Sequence, residues 1–462
     1  MALPRTFARY AVGSPVTVMM RGVLEFVCPP ERIDQLFREH ALNQYEDELL
    51  FSSTVDVLSL AVYGNRKSVN DAYKACRDQL TVSVTSVYNK LKGTETQVSQ
   101  SLVRDSAQRL GAVVKKMKAQ CAPLVPGYRT KILDGNHLAA TQHRLMETWT
   151  IGSAPLPGLC LVMLDPQLRL LVDVFPCEDG HAQERSLLGD VLETIEARDL
   201  LIADRNFCTT DFIQGIIDRK AFLVIRQHAH GLRNDRLLGQ RRRIGECDTG
   251  VVYEQRLQVG LEKEAFRLRR VTIVLNHPTR DGAREMHILS NLPRADADAL
   301  EVAAIYRRRW TIENAFQELG QSLHGEIKTL CYPKAALLAF CIALYTYNAV
   351  STIKAAMRGA NPEQTVDMIS SYYLASELRA GYFGAVIAIF PREWTRTFAH
   401  ITPAKLAAIL LELARPIPVE RFRKNKSSPK KPPPPRTNAA NAPHVSTKRL
   451  LDQRLASHVI NK

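Results

Sequence analysis

The chain has no Cys-x2-Cys pair and no Cys/His spacing suited to a zinc site, although it carries nine cysteines. These are scattered singly, at 28, 76, 121, 160, 177, 208, 247, 331 and 341. An odd, dispersed set argues against a disulfide framework or a structural metal and for reduced thiols in a cytoplasm. The N-terminus has Arg5 and Arg9 but no continuous apolar segment and no cleavage motif, so no secretion signal is expected. Acids nearly vanish toward the C-terminus. Residues 421–462 hold eleven Lys or Arg against a single acid, Asp452, a net of +10 out of +15 for the whole chain. With four consecutive prolines between Lys424 and Arg436, this stretch cannot bury enough apolar surface to fold alone and is predicted to be a disordered basic tail.

What remains is the composition of a globular protein: 462 residues, 45% hydrophobic, long enough for a large core and more than one domain. A basic chain favours a polyanionic partner, because each neutralised phosphate releases counterions; DNA fits better than a small acidic substrate. Residues 335–353 are uncharged for nineteen positions, but Tyr345, Thr346, Tyr347 and Asn348 interrupt the apolar run. A buried helix explains this better than a membrane span.

Residues 30–121 show little strand signal and read as helical. Helices are expected over Arg32–His40 and Ser53–Val62, and a pair separated by Leu80–Ser83 has the look of a helix-turn-helix, its second member carrying Thr85, Ser86, Asn89 and Lys90. From Thr130 strands and helices alternate. A strand ends at Asp134, Leu159–Leu164 and Leu168–Phe175 form a hairpin, Glu184–Ala197 is an amphipathic helix, and Leu200–Ala203 is a strand that delivers Asp204. A helix over Thr209–Arg219 and a strand over Ala221–Arg226 follow. Three strands, helix, strand, helix, strand and a late helix is the order of an RNase H-like α/β fold. Between Arg226 and Leu300 that order is interrupted by strand-like segments at Val251–Val259, Phe266–Leu275 and Met286–Leu289.

The late helix reads YRRRWTIENAFQE over Tyr306–Glu318. With a 3.6-residue period, Tyr306, Arg309, Glu313 and Gln317 share one face, and Ile305, Ile312, Phe316 and Leu319 form an apolar stripe beside it. An Arg-Glu pair at this spacing is ordinarily a surface salt bridge, and Asp-Gly after a strand is ordinarily a turn. The three pieces together, ILDGNH, IADRNF and Tyr-x2-Arg-x3-Glu, resemble the DDE transposases of bacterial insertion sequences. The resemblance spans about residues 15–350. It departs from the family pattern at Gly320, seven residues after Glu313, where a lysine is common; Lys328 is a candidate substitute.

The resemblance implies a helical N-terminal DNA-binding domain at 1–122, an RNase H-like catalytic core at 123–227 and 301–353, and a β-rich insertion at 228–300. A C-terminal helical region at 354–420 and the tail at 421–462 complete the chain. It implies Asp134, Asp204 and Glu313 as catalytic metal ligands for two Mg²⁺ ions, with Mn²⁺ able to substitute; oxygen ligands suit such hard cations. Tyr306, Arg309, Trp310, Arg205 and Lys328 are the expected DNA contacts, although a buried anchoring role for Trp310 is the simpler expectation. Insertion arginines 233, 236, 241, 242, 243, 267, 269 and 270 are candidate phosphate contacts. The partners expected are double-stranded DNA, as inverted-repeat ends and target, and further copies of the chain. Two rivals stay open: a transposase-derived DNA-binding protein that no longer cuts, and a stand-alone metal-dependent nuclease.

Overall fold

The computed structural model describes residues 3–44, 48–138, 145–228, 230–261, 265–279, 282–361, 369–424 and 442–460. Seven helices come first: α1 (Arg5–Gly13), α2 (Pro15–Val27), α3 (Pro30–His40), α4 (Phe51–Val62), α5 (Val69–Ala75), α6 (Val84–Gly93) and α7 (Thr96–Lys116). Ser68 and Ser83 cap α5 and α6 by accepting the backbone N–H groups of Asp71 and Ser86, which is why the chain breaks into two short helices there. The next elements are β1 (Arg129–His137), β2 (Ala154–Leu156), β3 (Leu159–Asp165), β4 (Leu170–Cys177), α8 (Leu188–Glu193), β5 (Asp199–Ala203), α9 (Thr210–Asp218) and β6 (Phe222–Arg226). Then follow β7 (Asp235–Cys247), β8 (Gly250–Val259), β9 (Phe266–Leu275), β10 (Glu285–Ser290), α10 (Ala299–Arg307), α11 (Trp310–Ser322) and α12 (Pro333–Ala360). The chain closes with α13 (Ser371–Ala388), α14 (Pro391–Phe398), α15 (Pro403–Ala414), β11 (His444–Ser446) and α16 (Thr447–Ile460).

Eleven strands among the described residues form two sheets that the sequence pattern anticipates only in part. The large sheet has nine strands in the order β4-β3-β1-β5-β6-β10-β9-β8-β7. Its first five strands, antiparallel through β4, β3 and β1 and parallel through β1, β5 and β6, have the RNase H-like order. The β-rich insertion does not stand apart from this core. β10 pairs antiparallel with β6, Ser290 opposite Val224, so β10, β9, β8 and β7 extend the same sheet.

Strand alternation sorts the core onto two faces. Ile132, Val162, Ile202 and Val224 join the hydrophobic core that includes α7 and α12, whereas Leu133, Leu161, Leu201 and Leu223 pack with residues of α8 and α9. The long apolar helix α12 passes the length and composition test for a membrane span, yet 94% of its most apolar window is buried in the fold. It packs chiefly against α7, α15 and β4, with α11 a smaller neighbour.

Four expectations are corrected. The Glu184–Ala197 helix is reduced to a 3₁₀ turn over Glu184–Leu187 and the short α8, because the chain must turn at Arg198, φ 66°, to start β5. β1 does not end at Asp134 but runs on to His137, paired with β3. The single helix over Tyr306–Glu318 is two helices: α10 stops at Arg307 and α11 starts at Trp310. The N–H groups of Arg308, Arg309, Thr311 and Ile312 bond three residues back, at 2.9–3.1 Å, and this 3₁₀ spacing tightens the turn between them. Finally, part of the basic tail is folded. β11 pairs parallel with β2, and α16 is tied down by Arg449 to Asp179 at 2.8 Å and by Arg454 to Glu147. Residues 425–441, which hold the proline run, lie outside the described residues.

Candidate active site

Two aspartates reach the same rim of the sheet by register. Parallel pairing of β1 with β5 stops at Leu133 opposite Ala203, so the next residue on each strand is an acid beyond the ladder. Leu133 and Ala203 point into the core under α8 and α9, and alternation turns Asp134 and Asp204 toward the face that carries α10 and α11.

The third acid arrives from that face. An Asp298–Glu301 capping box starts α10, which brings Tyr306 to Asp204: the phenol O–H donates to Oδ1 at 3.2 Å. The tightened turn then swings Arg309 inward, where it is 8% exposed, while Arg307 pairs outward with Asp248 at 2.8 Å. Arg309 uses its fork on two carboxylates. Nη1 lies 3.0 Å from Asp134 Oδ2 and Nη2 lies 2.6 Å from Glu313 Oε1. Ile312, Ala315 and Leu319 bury the opposite face of α11 and fix its roll.

Burial raises the Asp134 carboxyl to about 6, with nearby Glu313 and Asp204 adding repulsion, against the opposing pull of Arg309 and the Gly135 N–H. Burial also raises the Tyr306 phenol, and Asp204 adds to it. Burial alone would weaken the Arg309 cation; Tyr306, Asp134, Asp204 and Glu313 outweigh it. A positive charge is therefore stabilised where the acids converge.

Three carboxylates are the oxygen donor set that suits Mg²⁺ or Mn²⁺, and Asp134, Asp204 and Glu313 are the residues that would hold such ions. Among the described residues, however, no three His, Cys, Asp or Glu side chains form a closed ligand cluster. Arg309 stands between two of the acids instead.

The expected DNA contacts fall into distinct settings. Trp310 is 58% exposed, so the buried anchoring role is wrong; the indole leaves the core because the break after Arg307 puts it at the first turn of α11, facing outward. Arg205 follows Asp204 in a 3₁₀ turn and is half-buried, and Lys328 is exposed. Lys328 and Gly320 line one cavity of about 330 Å³ together with Asn136, two residues beyond Asp134. Of the insertion arginines, Arg269 is structural: it binds buried Glu254 at 2.6 Å and the carbonyls of Leu292 and Ala297. Arg241 is paired with Glu285 and Arg243 with Glu246, while Arg233, Arg236, Arg242 and Arg267 are exposed. In α6, Lys90 is buried with its ammonium 4.1 Å from the Phe37 ring centre, leaving Thr85 and Asn89 at the surface.

Sequence reasoning missed Glu184. A Cβ on Gly135 would lie 1.9 Å from its Oε1, and its Oε2 accepts from Asn206 at 3.3 Å. Glu184 thus packs against the backbone directly after Asp134. The glycine was the signal: inside a paired strand it marks a close approach rather than a turn.

No curated protein matches the chain. Among solved structures, a piggyBac transposase synaptic complex with hairpin DNA, determined by cryo-EM, aligns with a TM-score of 0.38 and 10% identity over 84% of this chain and 85% of that one. Residues 126–349, which contain the whole nine-stranded sheet and all three acids, match the model of the transposase DDE domain, and over that span the chain is similar to this family.

Proposed function

We propose that the protein is a DNA transposase that binds the inverted-repeat ends of its own element, hydrolyses the phosphodiesters at their 3′ ends and joins the freed 3′-hydroxyls to target DNA. One observation carries the reading: buried Arg309 joins Asp134 to Glu313, far apart in sequence, and Asp204, bound by Tyr306, is near enough for its charge to act on both Arg309 and Asp134. Bound by these acids, two Mg²⁺ ions, or Mn²⁺ in their place, would activate the attacking water or hydroxyl and stabilise the leaving oxygen. Asp134 would serve both ions, with Asp204 and Glu313 each serving one.

The remaining residues bind and orient. Arg309 and Tyr306 grip phosphates beside the scissile bond, Arg because its fork matches phosphate oxygens. Exposed Trp310 offers a face on which a base can stack, and Arg205 and Lys328 contact the backbone. The α5–α6 pair recognises the element ends, two or more copies assemble on DNA, and the protein works in the cytoplasm.

The test is incubation of the purified protein with Mg²⁺ and DNA carrying the repeats that flank its reading frame. Cleavage at the 3′ ends and joining of pre-cleaved ends to a plasmid are expected, and Asp134→Ala should abolish both while end binding survives. Cleavage without joining would make the protein a nuclease instead. Full activity of Asp134→Ala would end the assignment.

A further inference from the structure

Behind α11, on the flank away from the acids, lies a cavity of about 270 Å³ whose lining is dominated by one sign of charge. Arg169, Arg308, Lys354, Arg358 and Lys424 contribute five cations, and Glu318 is the single acid among the described lining residues, a formal +4. Glu318 is already saturated: it accepts from Lys354 Nζ at 3.2 Å, Lys424 Nζ at 3.0 Å and Ser371 Oγ at 2.6 Å. Arg358 is held by the Ala119 carbonyl, through Nε at 3.2 Å and Nη2 at 3.0 Å, which orients its guanidinium without neutralising it. Burial lowers the Lys354 ammonium, and Lys424 and Arg169 add repulsion to it, although Glu318 pulls the other way.

Concentrating like charges in a concave, partly desolvated space costs free energy unless an anion balances them. The donors are guanidinium forks and ammonium groups, flanked by Thr311 and Asn314, which is the chemistry that recognises a tetrahedral phosphate. Glu313 and Glu318 are five residues apart on one helix, about 140° round its axis and about 7.5 Å along it. A ligand here is therefore separate from the acid trio.

We propose that this cavity is a phosphate-binding subsite, formed by Arg169, Arg308, Lys354, Arg358 and Lys424, that takes either a backbone phosphate of a nucleic-acid strand or a free phosphate group. The anion site stands without the proposed reaction; its assignment to a DNA strand rests on that reading.

The test uses the full chain without divalent ions, titrated calorimetrically with inorganic pyrophosphate at low salt. Saturable binding is expected. Removing the two mouth cations with Arg308→Ala and Lys424→Ala together should weaken it at least about tenfold, each lost charge-assisted contact being worth of order 1.5 kcal/mol. Lys424→Ala alone should weaken it less and serves if the double variant fails to fold. Asp134→Ala should bind pyrophosphate as the wild type does. A second arm asks whether pyrophosphate lowers the affinity of a labelled duplex: competition identifies the strand backbone as the source, and its absence identifies free phosphate. No saturable binding, undiminished binding in both mouth variants, or loss of binding in Asp134→Ala would each overturn the subsite, and none of these results bears on cleavage at the trio.

Discussion

Arg309 Nη1 stands 3.0 Å from Asp134 Oδ2, and its Nη2 stands 2.6 Å from Glu313. The guanidinium does for the acids what a divalent cation would do, so it competes with one for the same carboxylates. Arg309→Gln should bind Mn²⁺ more tightly than the wild type, measured calorimetrically. It should also unfold more easily without metal, by about 1–3 kcal/mol, less than the roughly 3–5 kcal/mol for breaking a fully buried pair because Glu313 is a third exposed. Unchanged Mn²⁺ affinity would show that Arg309 and the ions do not share a place.

Trp310 sits beside this cluster but outside the core. Trp310→Ala should therefore change thermal stability by no more than about 0.5 kcal/mol, as at other surface positions. If the indole stacks on a base, the same change should cost about 1–3 kcal/mol in DNA affinity. Loss of stability with DNA affinity kept would reverse the assignment.

Gly320 lies in the last turns of α11, with nothing within 4 Å of where its Cβ would be. A side chain fits, and replacing glycine inside a helix gains roughly 0.5–1 kcal/mol. Gly320→Lys should melt higher than the wild type and steepen the salt dependence of DNA binding by about one unit of slope. Gly320→Ala should reproduce the first effect without the second.

His287 in β10 is pushed down to about 4 by burial, with Arg270 adding to it, and its Nδ1 meets Thr272 Oγ1 at 3.0 Å. Its folded value lies below the unfolded value near 6.5. The stability this neutral ring provides is present above pH 6.5 and is lost as pH falls toward 4, because the unfolded chain takes up the proton first. Denaturation followed from pH 7 to 4 should show His287→Asn losing less stability than the wild type, by up to about 2 kcal/mol. Parallel curves for the two proteins would refute this.

Ending the chain at Lys424 removes β11 and α16, and with them the partner strand of Ala154–Leu156 and the ion pairs to Asp179 and Glu147. The nine-stranded sheet does not use these contacts and should persist. Limited proteolysis of the truncated protein should cut within residues 145–157 faster than in the full chain, with the melting transition still cooperative.

Much of this arrangement was legible because periodicity and charge speak locally. The apolar runs before Asp134 and Asp204 show two strands that deliver acids, and Tyr306, Arg309 and Glu313 show a helix that gathers charge. The break after Arg307 was not legible, since no proline or glycine marks it; it comes from three-residue hydrogen bonding that the tertiary setting of Arg309 favours. Nor could spacing reveal Glu184, whose place is marked only by a glycine 49 residues earlier. The fold of α16 was hidden by composition: a polar helix is held by partners in distant loops, not by its own apolar face.

β10 is zipped onto β6 from Ile288 to Ser290, with three further strands built outward from it. The insertion is thus no cassette that can be lifted out and exchanged between relatives. Excising it would strip β6 of its neighbour, leaving an open hydrogen-bonding margin one strand away from Asp204 and inviting edge-to-edge aggregation. Chimeras of such proteins should place their joints inside loops of the insertion rather than at its ends.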